Sequence, residues 1–174
     1  VTASEDEPCE LSYAQQRQWF MWQLDPQGAA YHIPAALRLR GALNVPALQQ
    51  SFDALLARHH SLRTVFVEYD GQVRSLTMPV NPVGAAEGCD KGRRTFNSEV
   101  GLSRHDLRNL PQPERMPRAL ALLEQDIAQP FDLQNGPLLR VSLIQLDEDD
   151  HVLVLTLHHI VADGWSMGVL VEEF

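Results

Sequence analysis

Apolar residues change their period several times along the chain, and each change marks a predicted element. Leu11 to Leu24 carries Gln, Arg, Met, Trp and Leu without Pro or Gly, so it reads as a helix, stopped by Asp25-Pro26-Gln27-Gly28. From Ala35 to Arg40 the period becomes two: Leu37 and Leu39 share one face, Arg38 and Arg40 the other, as in a half-exposed strand. Asn44 then offers a helix cap and Pro46 a tolerated first turn. Leu48, Phe52, Leu55, Leu56 and His59 follow at helical spacing, which ends the helix near His60. Leu62 to Glu68 and Gln72 to Thr77 flank Asp70-Gly71, a strong hairpin signal.

Between Pro79 and Pro117 no period holds, which predicts a long loop region with one short strand near His105-Asp106-Leu107. Regularity returns over Arg118 to Gln129, where Leu120, Leu123 and Ile127 form a helical stripe ended by Pro130. Leu138 to Leu146 and Val152 to His158 then form a second hairpin around Asp147-Glu148-Asp149-Asp150. Val152 to Leu157 is apolar on both faces, as in an interior strand covered from each side. Alternating strands and helices of this kind predict a layered α/β or α+β fold. A last amphipathic segment, Met167 to Phe174, runs to the end of the sequence uncapped, which reads as an excised fragment.

Composition adjusts this picture only slightly. At 174 residues, 44% hydrophobic and 7% aromatic, the chain suits one globular unit. Its net charge of −9 is concentrated at Glu5, Asp6, Glu7 and Glu10 and again at Asp147 to Asp150. Residues 1–10 therefore read as an acidic linker and 11–174 as the folded unit. The charge has the wrong sign for nucleic acid or an anionic membrane. Cys9 and Cys89 lie 80 positions apart in polar stretches, without metal-site spacing or a disulfide framework, so the expected compartment is the cytoplasm.

The chemistry is concentrated in His158-His159-Ile160-Val161-Ala162-Asp163-Gly164-Trp165, at a strand-to-loop-to-helix junction. Adjacent strand side chains point to opposite faces, so one imidazole should enter a cavity and the other the packing. An imidazole is suited to moving or holding a proton near neutral pH. Gly164 permits a close approach by substrate, Asp163 can order the loop or cap the next helix, and Trp165 can anchor the turn. The two histidines diverge and no third ligand is near, so no metal site is expected. No G-x-S-x-G motif and no Cys beside a His offers a nucleophile. His32, His105 and His151 read as surface residues, and Trp19, Phe20 and Trp22 as core.

His158 to Gly164 resembles the HHxxxDG signature of nonribosomal peptide synthetase condensation domains. Three further stretches are similar to motifs of the same family in the same order: Leu11 to Phe20, Arg58 to Phe66, and Gln129 to Leu133 continuing through Gly136 to Arg140. The resemblance implies an N-terminal lobe of chloramphenicol-acetyltransferase-like fold, a two-layer sandwich with a mixed, largely antiparallel sheet packed by helices. A C-terminal lobe, absent from these residues, would complete a tunnel between the two. An exposed apolar patch is therefore expected beside His159, where that lobe would dock.

It also implies roles. His159 faces the tunnel as general base, positioning group or stabiliser of the tetrahedral intermediate, and Gly164 presents its backbone N–H to the reacting centre. His158 orients, Asp163 pairs with Arg63 as architecture, and Trp165 and Ser166 anchor and cap the following helix. Substrates arrive on the phosphopantetheine arms of an upstream donor and a downstream acceptor carrier protein, with no cofactor bound directly, and an adenylation domain adjoins. A related HxxxDG acyltransferase, an epimerisation domain and a non-catalytic carrier-docking or recruitment module are the alternatives.

Overall fold

In the computed structural model, residues 8–79, 101–163 and 168 are described. Gly164, Trp165, Ser166, the predicted last helix but for Gly168, residues 1–7 of the acidic lead, and residues 80–100 of the predicted loop region, Cys89 among them, lie outside them.

The first helix, α1, spans Tyr13–Leu24 after a two-residue strand β1, Cys9–Glu10. Its start is set by a capping box: the Gln15 N–H donates to Ser12 Oγ and the Ser12 N–H to Gln15 Oε1. Strand β2 covers His32–Arg40, starting earlier than the alternation alone indicates because Pro34 is accommodated within it. Helix α2, Val45–Arg58, is capped by Asn44, whose side chain accepts from the Ala47 N–H, with Pro in the first turn. A 3₁₀ turn, His60–Arg63, leads into β3, Thr64–Tyr69. The hairpin to β4, Gln72–Thr77, turns on Asp70 and Gly71 at φ of 52° and 73°. Positive φ at both central residues is the twist-matched turn that an Asp-Gly pair favours.

Strand β5, Leu102–Asp106, confirms the short strand expected near His105. Helix α3, Gln112–Ala128, begins six residues before the position predicted from periodicity. The prolines are the reason: Pro113 sits in the first turn, where its missing N–H has no partner to lose, whereas Pro117 lies inside the helix and forgoes the bond to the Pro113 carbonyl, yet the helix runs through it. Strands β6, Leu139–Asp147, and β7, Asp150–His158, close the second hairpin around the acidic turn.

Two sheets result among the described residues, one ordered β1-β4-β3 and the other β2-β7-β6-β5. Their pairings are antiparallel except β5 with β6, so the expected mixed, largely antiparallel arrangement holds. Parallel neighbours need a crossover, and α3 supplies it. The larger sheet is covered on both faces. Leu48, Phe52, Leu55 and Leu56 of α2 pack with Leu139, Val141 and Leu143 of β6 and with Leu153, Leu155 and Leu157 of β7. On the opposite face, Ile144 and Val154 pack with Ala119 and other residues of α3. The α/β sandwich thus gains a helix on its second face, which explains why β7 is apolar on both faces from Val152 to Leu155.

Under α3 this second face turns polar. Asp126 accepts from Thr156 Oγ1 at 2.7 Å and from Ser142 Oγ at 3.2 Å. Thr156 is fully buried, so Asp126→Ala is expected to destabilise the fold by about 2–4 kcal/mol, through the hydroxyls left without their acceptor. Thermal or urea unfolding measures this; a change under about 0.5 kcal/mol would mean the hydroxyls find other partners.

Candidate active site

The end of β7 separates its two histidines. His158 is 3% exposed, whereas His159, the next residue, is exposed at the rim of the sheet. His158 lies opposite His32 in the β2–β7 register, and its ring packs edge-on against those of His32 and Phe131, both 6.0 Å away between centroids. Its Nδ1 accepts the Ile160 N–H at 3.1 Å. That bond leaves the neutral ring's proton on Nε2, and it bends the chain sharply after the strand.

The turn is held from other directions as well. The His159 N–H donates to the Tyr31 carbonyl at 2.8 Å, which fixes the start of the side chain against β2. From α1, Gln15 Nε2 donates to the Ile160 carbonyl at 3.4 Å. One turn along, Gln18 Nε2 lies 3.2 Å from His159 Nδ1. Helix α1 is itself seated by Trp19, buried beside Phe66, and by Trp22, whose indole N–H donates to the Phe131 carbonyl at 3.0 Å. The exposed imidazole therefore has a fixed backbone, one ring nitrogen tethered and the other turned away from the tether.

Burial, reinforced by the neighbouring His32 and His159, holds His158 down at about 4. His32 is also lowered, by burial above all; its Nδ1–H donates to the Ile127 carbonyl at 2.7 Å, and Arg140 and Asp126 act on it in opposite senses. Below the ordinary histidine value of 6.5 the unfolded chain takes up a proton that native His158 refuses. Stability therefore falls as pH drops from 6.5 towards 4 and is flat above. The expected loss between pH 7 and pH 5 is about 2 kcal/mol from this residue. Urea unfolding of wild type and His158→Gln at both pH values isolates it, and equal slopes for the two proteins would rule it out.

Arg63 closes the 3₁₀ turn rather than lying in a strand, and it is buried at 3% exposure with Nη1 donating to the Met78 carbonyl at 2.7 Å. Asp163 is exposed at the end of the described turn. Ala162 and Leu62, their respective neighbours in sequence, belong to the same apolar cluster.

Several sequence expectations need correction. His151 is buried, His32 is half-buried in the ring cluster, and His105 lines a cavity of 230 Å³ with Asp126 and Ser142; none is a plain surface residue. Phe20 is not core but exposed. Together with Tyr13, Met21 and Leu24 it forms an exposed apolar row on α1, the helix that touches His159. At about 3.6 residues per turn this row lies on the side of α1 away from Gln15 and Gln18, which face the turn, so it is not the apolar patch expected beside His159. Gln15, Gln18 and His32 were not singled out as contributors, since their contacts to the turn span more than 120 residues of sequence and leave no local pattern.

The Condensation domain family model matches residues 5–85 and 93–174. The chain belongs to the condensation-domain family. It is 44% identical over 170 residues to malpibaldin synthetase of Mortierella alpina, and 40% identical over 171 residues to phosphinothricin tripeptide synthetase PhsC of Streptomyces viridochromogenes. These alignments cover 98% and 95% of the chain but only 3% and 14% of the respective relatives. Among solved structures it is similar to the first condensation domain of the CDA synthetase, with a TM-score of 0.85 and 28% identity. That match covers 98% of the chain and 39% of the other. The chloramphenicol-acetyltransferase-like fold expected for this condensation-domain chain is thereby established. Among the described residues no helix is long and apolar enough to cross a membrane.

Proposed function

We propose that this chain is the histidine-bearing lobe of a peptide-bond-forming condensation domain. The acceptor amine attacks the carbonyl of the donor thioester, a C–N bond forms, the C–S bond breaks, and the donor thiol leaves with a proton that began on the amine. Both reactants hang on phosphopantetheine arms of carrier proteins, the donor's upstream and the acceptor's downstream. The lobe itself needs no bound cofactor. A thioester is already activated, so holding the two groups together supplies much of the acceleration.

The observation that carries this reading is the split between the two histidines. His158 is packed, with its Nδ1 committed to the turn, while His159 is exposed and aimed from α1. His159 is the group that meets the reacting atoms, and the family resemblance supports Gly164, which lies outside the described residues, as a backbone N–H donor to them. Arg63 and Asp163 form the architectural pair; a guanidinium as buried as that of Arg63 calls for a counter-charge, and the shared cluster of Leu62 and Ala162 draws the two segments together. For Trp165 and Ser166, which lie outside the described residues, the family resemblance supports roles as anchor and cap.

A C-terminal lobe supplies the opposite wall of the tunnel, and an adenylation domain adjoins, so the 174 residues alone are expected to give no turnover. The test is dipeptidyl-thioester formation by the intact synthetase loaded with donor and acceptor thioesters. Hydrolysis or epimerisation without a new amide would overturn the reading, as would amide formation catalysed by the 174 residues on their own.

A further inference from the structure

Among the described residues, Gln18 is the side chain that holds the His159 ring, and it does so at a cost. Its Nε2 lies 3.2 Å from His159 Nδ1, while its Oε1 is buried with no hydrogen-bond partner among the described residues. A buried carbonyl without a donor destabilises a fold. At this position on α1, next to the anchoring Trp19, a leucine would fill similar space without that penalty. The polar contact that the amide makes in return is with the imidazole. Residues that break a local packing rule for one specific contact concentrate at functional sites.

The direction of that contact has a chemical consequence. An amide NH₂ can only donate, so His159 Nδ1 accepts and the neutral ring carries its proton on Nε2. With the amide turned over, Oε1 would accept from Nδ1–H, and Nε2 would keep a lone pair. It would also bury the NH₂ where the carbonyl now sits, and buried donors are left unpaired even less often than buried carbonyls. The backbone of His159 is fixed by its N–H bond to the Tyr31 carbonyl, so the ring meets Gln18 from a set starting point.

We propose that Gln18 is a positioning residue that selects the Nε2–H tautomer of His159, making this imidazole a hydrogen-bond donor rather than a base at its free nitrogen. A donor there stabilises the negative charge that builds on the thioester carbonyl oxygen as the amine adds. This deepens the reading of His159 as the group at the reacting centre and rests on it.

The test uses the whole condensation domain, labelled with ¹⁵N-histidine, with the His159 signals assigned by their loss in His159→Ala. Wild type is expected to show a pyridine-like Nδ1 and a pyrrole-like Nε2. Gln18→Leu should keep or raise the unfolding midpoint, lose this tautomer preference and lower kcat about 2- to 10-fold with little change in KM. Gln18→Glu, whose carboxylate accepts from Nδ1–H, should invert the tautomer and lower kcat on the order of 10²-fold or more. A pyrrole-like Nδ1 in wild type, or a tautomer unmoved in both variants, overturns the role of Gln18. Full or raised kcat in Gln18→Glu with an inverted tautomer overturns the donor assignment. Neither outcome bears on whether the domain makes amides, which the loaded synthetase reports separately.

Discussion

Replacing His159 by Ala in the loaded synthetase is expected to slow dipeptidyl-thioester formation by about 10²–10³-fold, the range for losing one positioned donor or proton-handling group. The fold should survive it. His159 is exposed and its backbone N–H bond to Tyr31 does not depend on the side chain, so stability should move by no more than about 0.5 kcal/mol. His158→Ala is the contrasting experiment. It removes a buried ring from the His32–Phe131 cluster and the acceptor of the Ile160 N–H, so stability and activity should fall together. The pair of variants thus separates a group acting on substrate from one that shapes the turn beneath it. A His159→Ala enzyme that makes the new amide at the wild-type rate would remove His159 from the chemistry altogether.

The largest effect on stability is expected from Phe66→Ala, about 3–5 kcal/mol. Phe66 is fully buried and ties three parts of the molecule to one another. Its ring lies 6.4 Å from that of Trp19 on α1, its N–H donates to the Leu133 carbonyl at 2.8 Å, and its apolar cluster includes Leu138 and Ile160. The cavity left behind would lie directly under α1, the helix whose Gln15 and Gln18 reach the turn of the two histidines. Denaturant unfolding of the condensation domain measures the loss, and kcat per folded molecule at low temperature measures how far the slackness reaches His159. A loss below about 1 kcal/mol would show that Trp19 and Leu133 collapse into the space and that Phe66 is no keystone.

Local pattern was a good guide wherever an element's reason for existing lay within it. The Asn44 cap with Pro46 behind it and the Asp70-Gly71 turn each act over four residues or fewer, and each is found where the local signal puts it. The start of α3 is harder to read because only Pro113 stands in the first turn, where proline is tolerated; Pro117 stands inside the helix, where proline ordinarily stops one, and nothing in the local pattern signals that the helix runs through it. Phe20 illustrates the opposite failure. A large aromatic in an apolar helix reads as core, yet α1 buries one face with Trp19 and leaves another exposed with Tyr13 and Leu24. Residues of both faces are apolar, so composition alone could not say which one packs.

The same division runs through the site. Period-two geometry requires His158 and His159 to differ in environment, and the HHxxxDG resemblance names the second as the reactive one; both follow from residues adjacent in the chain. Tertiary structure decided what surrounds them. It placed His32 across from His158, set α1 against the turn, and brought Gln18 to Nδ1 of a histidine 141 positions away. The physical reason is that a side chain's face is dictated by its own backbone, whereas its partner is dictated by how sheets and helices pack, and packing is a property of the whole chain.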